Sequence, residues 1–160
     1  MRHFSRRNFL LAASSALAVP RLWAKPAFAA DPFTLGVASG APLPDGVVLW
    51  TRLAPDLLNG GGLPPAAIEV RWEVARDEGF RDIVRTGKAL AESQQAHSVH
   101  VEVDGLAPAR WYWYRFMAGD AISAAGRTRT APAAGAVVDR LRFAFASCQQ
   151  YEQGFYAAHR

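Results

Sequence analysis

The chain has 160 residues, of which 51% are apolar and 20% charged, with 13 Gly and 10 Pro. This composition suits one main hydrophobic core; it excludes disordered and collagen-like chains, and the length excludes a large multi-domain enzyme. A single cysteine excludes an intrachain disulfide framework and a multi-cysteine zinc site.

The net charge of +4 is concentrated at one end. Residues 1–29 carry Arg2, Arg6, Arg7, Arg21 and Lys25 and no acid; without those five of the 18 basic residues, 13 stand against 14 acidic ones, a balance of −1. A near-neutral body offers no nucleic-acid binding platform. The basic segment has the form of an export signal. A charged start precedes an apolar run at 10–19, and Ala27-Phe28-Ala29 is an A-x-A site that predicts cleavage after Ala29. The run is about half of the ~20 residues that span a bilayer, so no transmembrane anchor is expected. Ser5-Arg6-Arg7-Asn8-Phe9-Leu10 resembles the twin-arginine signal, departing only where Leu11 replaces Lys. It implies export through the twin-arginine translocase, to a periplasmic or extracellular place, by a route that carries folded proteins.

From residue 30 the pattern is short alternating runs between turn residues, which predicts an all-β fold. Strands are expected at 33–38 and 47–53, with a turn at Pro42-Leu43-Pro44-Asp45-Gly46 between them. Residues 56–65, with Gly60-Gly61-Gly62, read as a flexible loop; no Lys-Ser/Thr pair or helix follows to make it a phosphate cradle. Ile68, Val70, Trp72 and Val74 alternate with Glu69, Arg71 and Glu73, which predicts a strand with one buried face. Trp50 and Trp72 are read as structural residues. Residues 82–90 suit an edge strand. Val99, Val101 and Val103 alternate with Ser98, His100 and Glu102, so His100 points outward, and His97 has no ligand partner nearby in sequence.

Leu106-Ala107-Pro108 followed by Tyr112 has the pattern of a tyrosine corner, in which the ring fills the core and the hydroxyl bonds back to the turn. Tyr112, Tyr114 and Phe116 are then inward, and Trp111, Trp113 and Arg115 outward. Two outward tryptophans predict a covered interface. A last strand at 122–130 completes a set of seven, the size of one immunoglobulin/fibronectin type III-like β-sandwich. The tail differs. Leu141 to Ser147 is a near-continuous apolar run, Cys148 begins a loop, and a helix starts at 155–160, which together read as the opening of an α/β domain.

Three segments, in order, carry a family resemblance: Gly36-Val37-Ala38-Ser39-Gly40 leading to Val48-Leu49-Trp50-Thr51-Arg52-Leu53, Leu106 to Phe116, and Phe145-Ala146-Ser147-Cys148-Gln149 leading to Gly154-Phe155. With the export signal, they resemble the N-terminal part of the PhoD-like alkaline phosphatase/phosphodiesterase family. The resemblance implies a fibronectin-like domain in front of a metallophosphoesterase domain that hydrolyses phosphate mono- and diesters, by a water or hydroxide activated on iron and calcium. It makes Cys148 the counterpart of the family's iron-ligating cysteine. Ala41 stands where the family is expected to carry an acidic residue.

The expected organisation is a signal at 1–29, a fibronectin-like domain at 30–134, and a linker with the start of a truncated metallophosphatase domain at 135–160. On this reading the fragment holds no catalytic residue, binds no metal specifically, and is inactive by itself. The alternative is a stand-alone secreted binding module whose Trp111/Trp113 face holds a protein or polysaccharide.

Overall fold

The computed structural model describes residues 28–140, and the chain forms two antiparallel sheets facing each other. The smaller has the order β1-β2-β5, built from β1 (Val37–Gly40), β2 (Val47–Arg52) and β5 (Ser98–Val103). The larger has the order β4-β3-β6 and then an outer edge shared by β7 and β8. Its strands are β3 (Ile68–Ala75), β4 (Ile83–Ala91), β6 (Trp111–Ala118), β7 (Ala121–Ile122) and β8 (Gly126–Arg129). The fold is an all-β sandwich of the immunoglobulin/fibronectin type, with β4 on an edge as its irregular sequence predicts.

Period-two patterning builds the core. Val47, Leu49 and Thr51 of β2, Val99, Val101 and Val103 of β5, Val70 and Val74 of β3, and Tyr112, Tyr114 and Phe116 of β6 are all buried. They come from the two inner faces, so one layer of side chains fills the gap between sheets. Arg85 crosses that gap at the open edge: its guanidinium donates to the carbonyls of Asp104, at 2.9 Å, and Gly105.

Several boundaries differ from the sequence expectations. Residues 33–36 are a turn, closed by the Gly36 N–H to the Phe33 carbonyl at 2.8 Å with Gly36 at φ 69°, so β1 starts only at Val37. Phe33 is apolar because it plugs the core from that turn, at 4% exposure. The expected last strand is broken into β7 and β8. Between the pairs Met117↔Ile122 and Tyr114↔Gly126, residues 123–125 face only 115 and 116, leaving one extra residue. The buried Ser123 bridges the break, its hydroxyl accepting from the Phe116 N–H at 2.9 Å and donating to the Ala124 carbonyl at 2.8 Å. The loop expected to be flexible at 56–65 has internal order. Asp56 and Gly61 form a β-bridge, and the Asp56 carboxylate accepts from the Leu58 and Asn59 N–H groups and from the Asn59 amide. Those bonds hold the carboxyl below the usual carboxylate range, the Asn59 side chain contributing most. Finally, Trp72 is only half-buried. Its indole lies over its cross-strand partner Gly87 and lines an open pocket.

Candidate functional site

The tyrosine corner forms where the chain leaves the sandwich. Tyr112 is 2% exposed, and its hydroxyl accepts the Ala107 N–H at 2.8 Å. Thr130, just after β8, reaches the same turn: its hydroxyl donates to the Ala107 carbonyl at 2.7 Å and accepts the Arg110 N–H at 3.1 Å. The next residue is pinned as well. The Ala131 N–H donates to the Leu43 carbonyl at 3.0 Å, and its carbonyl accepts the Ala109 N–H at 2.9 Å. Everything after Ala131 therefore departs from a fixed point beside the 42–46 turn. Thr130 was not singled out by sequence reasoning; a buried Thr directly after a strand, facing a Leu-x-Pro turn, is the only signal it gives.

The outer face of the larger sheet gathers aromatic and charged side chains. Trp111 is 45% exposed, with the Arg127 guanidinium 4.4 Å and the Arg129 guanidinium 5.6 Å from its ring centre. Trp113 is half-buried on the same face, paired in register with Arg127. Arg115 is bound to Glu73 at 2.7 Å and lies 4.1 Å over the Phe80 ring, and Met117 beyond it is buried. Trp50 occupies the outer face of the other sheet, half-buried, between Ala38 and His100 in register.

Inside, Tyr114 is 2% exposed and packs edge-on to Phe116. Its ring occupies the space over its cross-strand partner Gly126, where a Cβ would overlap it. Burial raises the Tyr114 phenol above its ordinary value, and a hydrogen bond with Ser39 works the other way. His97 is a buried tie. Its Nε2 lies 3.1 Å from the Ala66 carbonyl, joining the 56–67 loop to the start of β5.

Among the described residues, no group of three or more His, Cys, Asp or Glu side chains is placed to hold a metal ion. Among them, too, no helix is long and apolar enough to cross a membrane. Arg6, Arg7 and Cys148 lie outside the described residues, as do the expected strand at 141–147 and the helix start at 155–160. Ala29 is exposed, next to Phe28, which packs half-buried against the core.

The model of the family "PhoD-like phosphatase, N-terminal domain" matches residues 16–132. The chain belongs to the PhoD-like phosphatase family. It is 61% identical over 137 residues to Alkaline phosphatase D of Bacillus subtilis (strain 168), covering 86% of this chain and 24% of that protein. The solved structure of PhoD superposes with a TM-score of 0.82 at 62% identity, covering 84% of this chain and 26% of the other. The chain thus spans about a quarter of the length of these PhoD relatives. A human fibronectin type III domain gives a TM-score of 0.48 at 16% identity, covering 71% of this chain and 84% of the domain.

Proposed function

We propose that this chain is the N-terminal part of an exported PhoD-like alkaline phosphatase that hydrolyses phosphate mono- and diesters, with the chemistry carried by residues beyond the sandwich. The observation that supports this reading is the 61% identity to Alkaline phosphatase D over 137 residues, 86% of this chain. In this reading residues 1–29 are a twin-arginine signal removed after Ala29, 30–134 are the fibronectin-like domain, and 135–160 are the linker and opening of the metallophosphatase domain. Cys148 is an iron ligand of the complete protein, since a thiolate suits iron. Calcium belongs to the same downstream centre. The sandwich contributes a rigid exit for the chain: the Ala131 bonds to Leu43 and Ala109 fix where the downstream part begins. The 160-residue chain alone is inactive, because a single thiolate does not complete a metal site.

A chimera tests the proposal. This chain, set in place of the matching segment of the B. subtilis alkaline phosphatase D, should be exported and should hydrolyse phosphate esters. Arg6→Lys/Arg7→Lys should leave its precursor in the cytoplasm. Cys148→Ser should lose iron and most activity while the sandwich stays folded. A folded chimera without activity, or full iron content after Cys148→Ser, would contradict the assignment.

A further inference from the structure

Arg127 and Arg129 alternate on β8 and project from the outer face of the larger sheet, where both guanidinium groups stack on one indole, that of Trp111. Stacking holds two long side chains in place before any ligand arrives, which lowers the entropy lost on binding. The electrostatics of the strip differ from those of its neighbours. Arg115, on the same face, is neutralised by Glu73 at 2.7 Å, and Lys88 by Glu69 at 3.0 Å. Among the described residues neither Arg127 nor Arg129 has a carboxylate within 4.0 Å. Their donors are also unspent. Each guanidinium carries five N–H groups, and the described residues take only one from the pair, the Arg129 Nε–H to the Ala109 carbonyl at 3.4 Å. Cation–π packing accounts for where the two side chains lie. It does not account for two guanidinium groups that share one indole and have no carboxylate within 4.0 Å among the described residues, the cavity neighbour of that kind being Asp139, which lines the same pocket as Arg129.

We propose that the Arg127–Trp111–Arg129 strip binds adjoining phosphate groups. Two planar forks gathered on one indole present several free donors to neighbouring oxyanions, and phosphate offers more charge and more acceptor oxygens per group than a carboxylate does. The inference stands on the strip alone and does not depend on the phosphatase reading.

The test is an NMR titration of the isotope-labelled 160-residue chain with inorganic pyrophosphate, following the Trp111 indole N–H and the Arg127 and Arg129 Nε–H signals. A saturable shift is expected, weakening about tenfold between roughly 20 and 200 mM salt as screening grows. Orthophosphate and succinate should bind several-fold more weakly. Arg127→Gln/Arg129→Gln should abolish the response without lowering the melting midpoint below that of Trp111→Phe. Arg127→Lys/Arg129→Lys, which keeps the charge but loses the forks, should bind several-fold more weakly than the parent. No saturable shift, an equal response to succinate, or undiminished binding by the Lys variant would overturn the proposal.

Discussion

Tyr112 and Thr130 grip one residue from two sides: the Tyr112 hydroxyl accepts the Ala107 N–H at 2.8 Å, and the Thr130 hydroxyl donates to the Ala107 carbonyl at 2.7 Å. One side chain comes from β6 and the other from the end of β8, so the turn before β6 is tied to the point where the chain exits. Tyr112→Phe and Thr130→Val each remove one hydroxyl and keep the packing volume. Each should cost about 1–2 kcal/mol, the range for orphaning a partly buried backbone group. Because both act on one turn, the double variant should differ from the sum of the singles by about 0.5 kcal/mol or more. Denaturant unfolding of the four proteins measures this. Strict additivity would mean that the two hydroxyls work independently.

Ala41 lies in the left-handed region at φ 45°. An L-residue with a Cβ is disfavoured there, whereas Asp and Asn are enriched. This gives a physical reason for the acidic residue the family resemblance led us to expect at this position. Ala41→Asp and Ala41→Asn should each raise stability by about 0.5 kcal/mol, a gain visible in the melting midpoint. A fall in both would show that the loop prefers alanine for another reason.

Gly126 and Gly87 each face an aromatic ring, Tyr114 and Trp72 respectively, that a Cβ would overlap. The two rings differ in freedom: Tyr114 is buried at 2% exposure, and Trp72 is half-buried and lines an open pocket. Gly126→Ala should therefore cost about 2–3 kcal/mol, the upper range for overpacking, and Gly87→Ala about 1 kcal/mol. Equal costs in thermal unfolding would mean that the Trp72 indole is as tightly held as the Tyr114 ring.

Tyr114 also gives the fold an alkaline limit. Its folded pKa is raised above the ordinary 10.0 by burial, so the folded state holds the phenol proton more tightly than the unfolded chain does. The stability this contributes is complete below pH 10 and is lost as pH rises from there through the folded value. Denaturation midpoints should fall above about pH 10, and Tyr114→Phe should flatten that decline. An unchanged alkaline slope in the variant would assign the loss to other tyrosines.

The sandwich was largely legible because its inner strands obey period two. Val70 and Val74, Val99 to Val103, and Tyr112 to Phe116 announce their buried faces, and Leu106-Ala107-Pro108 announces the corner. What was not legible depended on contacts distant in sequence or on local detours. Phe33 is apolar for a turn that plugs the core, which alternation does not separate from a strand. Ser123 marks the break in the last strand: its N–H still donates to the Phe116 carbonyl, but its hydroxyl takes the Phe116 N–H in place of a backbone carbonyl. His97 gains its role only from Ala66, 31 residues away. Trp111 was legible as outward-facing, but not the two arginines stacked on it, since pairing β8 with β6 is a matter of register.

On the proposed function, the sandwich frames the chain and the hydrolytic chemistry of the phosphatase lies elsewhere. The most direct test is turnover of a model phosphate monoester and a model phosphodiester by the purified 160-residue chain, with iron and calcium supplied. The expected result is a folded β-protein with no metal-dependent hydrolysis above background. Metal-dependent turnover that survives repeated purification and disappears with Cys148→Ser would contradict it, by showing that this chain assembles a working centre of its own.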